Sequence, residues 1–273
     1  MPNEDRPKTC PECGGDCECD ERTLVIPDIR TEVAGLEEAI DYAEVDYVVC
    51  LGNYFHAVSG DTVEANAEAA RWLKTSLWTP HRTHLLSAND LQYVFPEYDF
   101  LRRPSFNAQI SLAINEILTD MDWRAMDFHF WVDGCLLSSA GIDVRGLPSA
   151  FRRCDAEYVA EFLSDEEDDA WEALLRSSKH WLCDASGKYG GAVHATALRH
   201  PIPGITQIHG DLAVVKPTRA ATSKGSAACF ATIQAGDTYP PHMALLHDGD
   251  KMTIIHPSGL REDDVKFRDV KSS

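Results

Sequence analysis

Basic residues are scarce in this chain. Lys and Arg number 25 against 44 Asp and Glu, a formal charge of −19. Phosphate backbones and anionic membrane surfaces are held by clustered Lys and Arg. The balance therefore argues against broad nucleic-acid binding and against a membrane-surface role, while leaving room for a small local basic pocket. A salt-adapted source would produce the same acidity. Long apolar runs are also missing: nothing in the 273 residues approaches the roughly 20 apolar residues of a transmembrane helix. The N-terminus is polar, with no basic stretch leading into an apolar one, so no secretory leader is expected. Several catalytic signatures are absent. Ser138 and Ser139 lie in L-S-S-A-G, which is not a G-x-S-x-G elbow. Gly190-Gly191 lacks the Lys-Ser/Thr of a phosphate loop. There are no internal repeats.

The apolar fraction of 44% and charged fraction of 25% fit a soluble globular protein. The length suits one large domain with a small appendage: a Cys-rich segment over 1–22, a main domain over 23–261 and a polar tail over 262–273. Nine cysteines is an odd count. Cys50 lies inside a strand-like run and Cys135 begins another, where a thiol acts as a small buried apolar group. With Cys154, Cys183 and Cys229 scattered, a reducing cytoplasm is expected rather than a disulfide framework. The remaining four crowd into CPECGGDCEC. Cys10 and Cys13 sit in a C-P-x-C-G-G turn that suits one zinc knuckle, with Cys17 and Cys19 as the further candidate ligands. Cys17-Glu-Cys19 leaves little backbone to wrap a tetrahedron, so a polar tail with incidental thiols is the competing reading.

Thr23–Asp28 reads as a buried strand. Val33, Leu36, Ile40 and Ala43 then recur at helical spacing, and Asp46–Leu51 reads as the next strand. This β-α-β order implies a parallel pair with a right-handed crossover. A helix over 62–78 stopped by Pro80, a third strand Arg82–Ser87 and a helical, irregular stretch over 91–124 follow. Phe128–Val132 and Cys135–Ser139 read as a hairpin turned at Asp133-Gly134. Residues 148–182 read as two acidic helices, with Asp165–Asp169 as a solvated loop and helix start. Gly204–His209, Ala228–Gln234, His242–His247 and Lys251–His256 are the remaining strand candidates.

In such an order, ligands gather at the carboxyl ends of the parallel strands. The residues there carry a resemblance. PDIR at Pro27–Arg30 stands where a D-x-H motif would. LGNYFH at Leu51–His56, SANDLQY at Ser87–Tyr93, SSAGI at Ser138–Ile142 and PIPGITQIHGD at Pro201–Asp211 resemble L-G-D-Y-x-D, G-N-H-D-L-Q-Y, T-H-A-G-I and P-I-P-G-x-x-Q-I-V-G-H-T. Together, in this order, they resemble the calcineurin-like metallophosphoesterase superfamily. That resemblance implies an α/β fold: a two-sheet β-sandwich flanked by helices.

It also implies a centre of two metals, which generate a hydroxide and clamp phosphate oxygens. Carried over position by position, Asp28 keeps the first acid. Arg30 stands for a ligand His, Asn53 for the bridging Asp, Ala88 for a ligand Asn and Asn89 for the His at the leaving group. Ser139 and Asp211 each replace a ligand His. A guanidinium cannot coordinate a metal, Ala88 has no donor atom, and neutral Asn53 cannot hold two cations as a carboxylate does. No dinuclear centre is expected. Arg30 is expected instead to fill the vacated site, paired with Asp28 and Asp211 through a bidentate fork, and to serve as an anion contact. If the alignment is shifted, His56, Asp90, Asp133, His194, His209 and His242 are the alternative ligands, and Asp28, Asn53 and Asp211 would form a weak Mg²⁺ or Ca²⁺ site. The expected function is a catalytically impaired binding or assembly module taking a protein partner or a phosphorylated small molecule. The alternative is a divergent metal-dependent phosphoesterase.

Overall fold

The computed structural model describes residues 22–31, 33–55, 62–132, 135–183, 191–193 and 200–210, and the backbone of five later strands. The first half alternates strands and helices: β1 (Arg22–Ile26), α1 (Leu36–Ala43), β2 (Tyr47–Cys50), α2 (Val63–Ser76) and β3 (Arg82–His84). Three helices follow, α3 (Ala88–Val94), α4 (Ala108–Asn115) and α5 (Asp120–Arg124), then β4 (His129–Val132), β5 (Cys135–Ser138) and α6 (Ala156–Leu175). The last strands are β6 (Thr206–His209), β7 (Thr218–Arg219), β8 (Phe230–Thr232), β9 (Met243–His247), β10 (Lys251–His256) and β11 (Arg261–Asp264).

These form two sheets, ordered β11-β10-β9-β1-β2-β3 and β4-β5-β6-β8-β7. β1, β2 and β3 run parallel, as do β5, β6 and β8. β9 joins β1 antiparallel, and β4 pairs β5 as the expected hairpin, whose turn lies outside the described residues.

Why the strands read as unbroken apolar runs is visible in where alternate residues go. Val25, Val49 and Leu85 face Val132, Cys135, Leu137 and Ile208 of the second sheet in one core. Their neighbours Leu24, Ile26, Val48 and Cys50 point the other way, into the core shared with Leu36 and Ile40 of α1 and Leu73 of α2. A strand buried on both faces needs no polar alternation. The architecture is thus a two-sheet α/β sandwich with helices outside it.

Three expectations need correction. Residues 148–182 hold one long helix, α6, and a short 3-10 turn at Trp181–Cys183, not two helices. Asp165–Asp169 lies in the middle of α6. Val159, Leu163, Ala170 and Leu174 supply its buried stripe, so the acidic run occupies other faces of the same helix. Its start is Asp155, which caps the Tyr158 amide at 3.0 Å. Pairing also continues past residue 261: β11 joins β10 through Asp264, inside what reads as a polar tail.

Leu137 is fully buried between the sheets and Leu112 is 68% exposed. Leu137→Ala should cost about 2–5 kcal/mol in urea denaturation, by lost transfer energy plus the cavity left behind. Leu112→Ala should stay within about 0.5 kcal/mol.

Candidate functional site

The sheets bring their strand ends to one rim. Asp28 and Arg30 follow β1, Asn53 follows β2, Ala88 and Asn89 open α3 after β3, and Ser139 follows β5. Four of these join in one line of contacts. Arg30 Nη2 meets Asp28 Oδ2 at 3.0 Å. Asn53 Nδ2 donates to Asp28 Oδ1 at 2.8 Å, and Asn89 Nδ2 donates to Asn53 Oδ1 at 2.8 Å. Asp28 and Asn53 are buried, while the Arg30 side chain keeps 21% of its surface exposed.

The expected bidentate fork does not form on Asp28; the other expected partner, Asp211, lies outside the described residues. Asn53 holds Asp28 Oδ1, so the guanidinium reaches one oxygen only. Arg30 Nε is buried with no hydrogen-bond partner among the described residues. The backbone here is unusual: Asp28, Arg30, Thr31 and Asn53 have φ of 42°, 53°, 64° and 62°. Such left-handed conformations are uncommon for residues with a Cβ and persist where the surroundings over-determine them. The over-determination is a ladder that carries the β1–β2 pairing into the loops. Arg30 and Thr31 donate their amides to the Asn53 and Tyr54 carbonyls at 2.7 and 2.8 Å.

Beneath this line lies Asp90, fully buried. Its Oδ2 accepts from the Asn53 amide at 2.8 Å, the Ser87 amide at 2.9 Å and the Ser87 hydroxyl at 2.7 Å. Its Oδ1 accepts from the Tyr54 amide at 2.8 Å. The carboxylate is at once half of the α3 capping box and the clamp on the loop that carries Asn53. Burial pushes its carboxyl up to about 6, against the pull of these donors. A Cβ on Gly52, where φ is +96°, would come within 2.8 Å of the Leu85 carbonyl and 3.1 Å of Asp90 Oδ2. Only glycine fits this junction.

The other expected positions separate from the line. Ala88 offers its backbone: its amide donates to the Val193 carbonyl at 3.0 Å, and the Ala140 amide donates to Ala192 at 3.0 Å. Residues 191–193 therefore stitch the ends of the two sheets together. Gly191 is needed sterically: a Cβ there would meet the Leu182 carbonyl at 2.2 Å. Ser139 is buried and accepts the Gly210 amide at 3.0 Å through its carbonyl. Of the alternative ligands, Asp90 is engaged as described. His209 is fully buried, which pushes its imidazole down to about 3 and keeps it neutral. Asp211, His56, Asp133, His194, His242, Cys10, Cys13, Cys17 and Cys19 lie outside the described residues.

Among the described residues the donor set does not fit a dinuclear metal centre. Both Asp28 oxygens are engaged, the two amides hold each other, Ala88 contributes a methyl, and a permanent cation sits against the carboxylate. Among the described residues no three His, Cys, Asp or Glu side chains converge on a point that would take an ion.

No protein-family model matches the chain, and no curated protein matches it in sequence. Among solved structures it is similar to a metallophosphoesterase from Sphaerobacter thermophilus, at 10% identity over 86% of this chain and 87% of that one, with a TM-score of 0.42. It is similar to a cold-active protein-tyrosine phosphatase of a psychrophile, Shewanella sp., at 8% identity over 90% and 81% of the two chains, TM-score 0.49. It is similar to Yfce, a phosphoesterase from E. coli, at 10% identity over 89% and 98%, TM-score 0.38.

Asp90→Asn would replace an acceptor by an amide NH₂ facing buried donors. We expect a loss of about 2–4 kcal/mol in urea denaturation, from donors left unpaired in a dry site. The Asp90 carboxyl binds its proton more tightly folded than unfolded. Its contribution to stability is therefore greatest below about pH 4 and falls as pH rises towards 6. The difference in stability between the two proteins, followed from pH 4 to 7, should change across that window and be flat above it.

Proposed function

We propose that this chain is a metallophosphoesterase-like domain that works without the family's metal chemistry, as a binding or assembly module. The observation that carries the reading is the closed line Arg30–Asp28–Asn53–Asn89. A guanidinium lies where a cation would be needed, and it is permanently charged. The changed positions follow different strands, so no single compensating residue restores the ligand set. The exposed part of the Arg30 side chain supplies an anion contact, suited to a phosphorylated small molecule or to an acidic group on a protein partner. The Cys10, Cys13, Cys17 and Cys19 segment adds a zinc-dependent docking element in this reading.

The second reading is a divergent metal-dependent phosphoesterase. It is favoured by Asp28, which keeps the first acid at the end of β1. The protein, stripped of metal and given Mn²⁺, should not hydrolyse an aryl phosphate above the buffer rate. It should also hold no tight metal outside the N-terminal cysteines. Turnover that vanishes in Asp28→Ala would overturn the first reading and establish the second.

A further inference from the structure

On the helix-covered face of the first sheet, a cleft of about 600 Å³ opens between α1 and α2. Its apolar wall is Val33, Ala34 and the ring of Trp72. That indole is fixed in place by its neighbours. Its Nε1 donates to Glu37 Oε1 at 2.7 Å, and its ring lies edge-on to His84 at 5.7 Å. A surface organised in advance spares a ligand the cost of ordering it.

Most of the donors in the cleft are already spent. Arg82 gives Nη1 and Nη2 to the two Glu37 oxygens at 2.7 and 2.6 Å, and Nη1 also donates to Ser76 Oγ at 3.1 Å. The Thr75 and Thr79 hydroxyls donate to the Arg71 and Thr75 carbonyls at 3.1 and 3.2 Å, so each can only accept a further bond. What remains is mostly acceptors. The Arg82 hydrogen bond holds the Glu37 carboxyl below its usual range against the effect of burial, so it stays ionised. Its side chain keeps 48% of its surface exposed. Glu68 lines the same cleft and is exposed, and among the described residues it forms no ion pair. Arg71 is the opposing charge, likewise without an ion pair among the described residues, whereas the Arg82 charge is answered by Glu37.

An aliphatic ammonium matches this lining. Its N–H groups suit the carboxylate and hydroxyl oxygens, its charge suits Glu68 and the face of the Trp72 ring, and its methylenes suit Val33 and Ala34. The formal charge of −19 draws such a cation from solution. We propose that the cleft between α1 and α2 binds a free aliphatic polyamine, with an ammonium at Glu68 and Trp72 and the methylene chain on Val33 and Ala34. None of these residues belongs to the Arg30–Asp28–Asn53–Asn89 line, so the cleft can act whether or not the rim does.

Spermidine titrated into the full chain tests this, by calorimetry and by the assigned Trp72 indole signal in NMR, at about 0.15 M salt, where charges beyond roughly 8 Å are screened. Saturable binding that moves the Trp72 signal is expected. Glu68→Gln should weaken it about two- to fivefold, the range of an exposed charge pair. Arg71→Gln removes the opposing charge and should tighten it by a similar factor. Glu172→Gln removes the same charge from α6 and should leave the affinity unchanged. All three side chains are exposed, so the variants should fold. No saturable binding, or binding that leaves the Trp72 signal in place, overturns the site. So does an equal loss in Glu68→Gln and Glu172→Gln, which means diffuse attraction to an acidic surface. Weaker binding by Arg71→Gln overturns the polyamine and points to a ligand that carries a carboxylate.

Discussion

The arrangement of the strand-end rim depends on one carboxylate. Asp90 receives two amides from the loop after β2 and an amide and a hydroxyl from the turn into α3. Those two pieces of chain carry Asn53 and Asn89, whose side chains meet at 2.8 Å across the junction that Asp90 clamps. A buried carboxylate with four donors is costly to assemble and costlier to disturb. Gly52 serves the same junction by omission, leaving room for the Leu85 carbonyl and for Asp90 itself.

Above that clamp, charge is balanced inside the protein. A buried carboxylate at Asp28 requires a partner, and it has a guanidinium on one oxygen and an amide on the other. The left-handed backbone at Asp28, Arg30 and Thr31 is what turns Arg30 back towards the acid two residues before it. The strain is supported by the amide ladder to Asn53 and Tyr54. Local conformation, ion pair and loop pairing therefore support one another, and none of the three would be expected alone.

Much of this was legible in the sequence, for reasons tied to particular residues. Thr23–Ile26 and Tyr47–Cys50 read as strands because burial on both faces leaves no polar interruptions. Strand ends were readable as turn residues after apolar runs, which placed Asp28, Asn53 and Asn89 on one rim. The Ser87–Asp90 capping box is itself a four-residue signal. Its second role was not readable, because the Asn53 and Tyr54 amides that complete it come from 37 and 36 residues away in the chain. That Arg30 meets Asp28 through one oxygen was hidden for the same reason: the amide on the other oxygen belongs to Asn53. An acidic run disguised the continuity of α6, and β7 and β11 are short edge strands without an apolar signature.

Burial divides the acidic side chains of this protein into two kinds. Those on exposed helix faces contribute to its net charge and little to its shape. Asp28 and Asp90 are drawn out of water, and each has a different remedy: a cation and an amide for the first, a set of donors for the second. Both remedies are built from groups that stay charged or stay donors at any ordinary pH. The Asp90 carboxyl itself is pushed up to about 6 by its burial. The partners at the rim therefore stay fixed around neutrality, while the charge that Asp90 presents to them changes as pH rises through about 6.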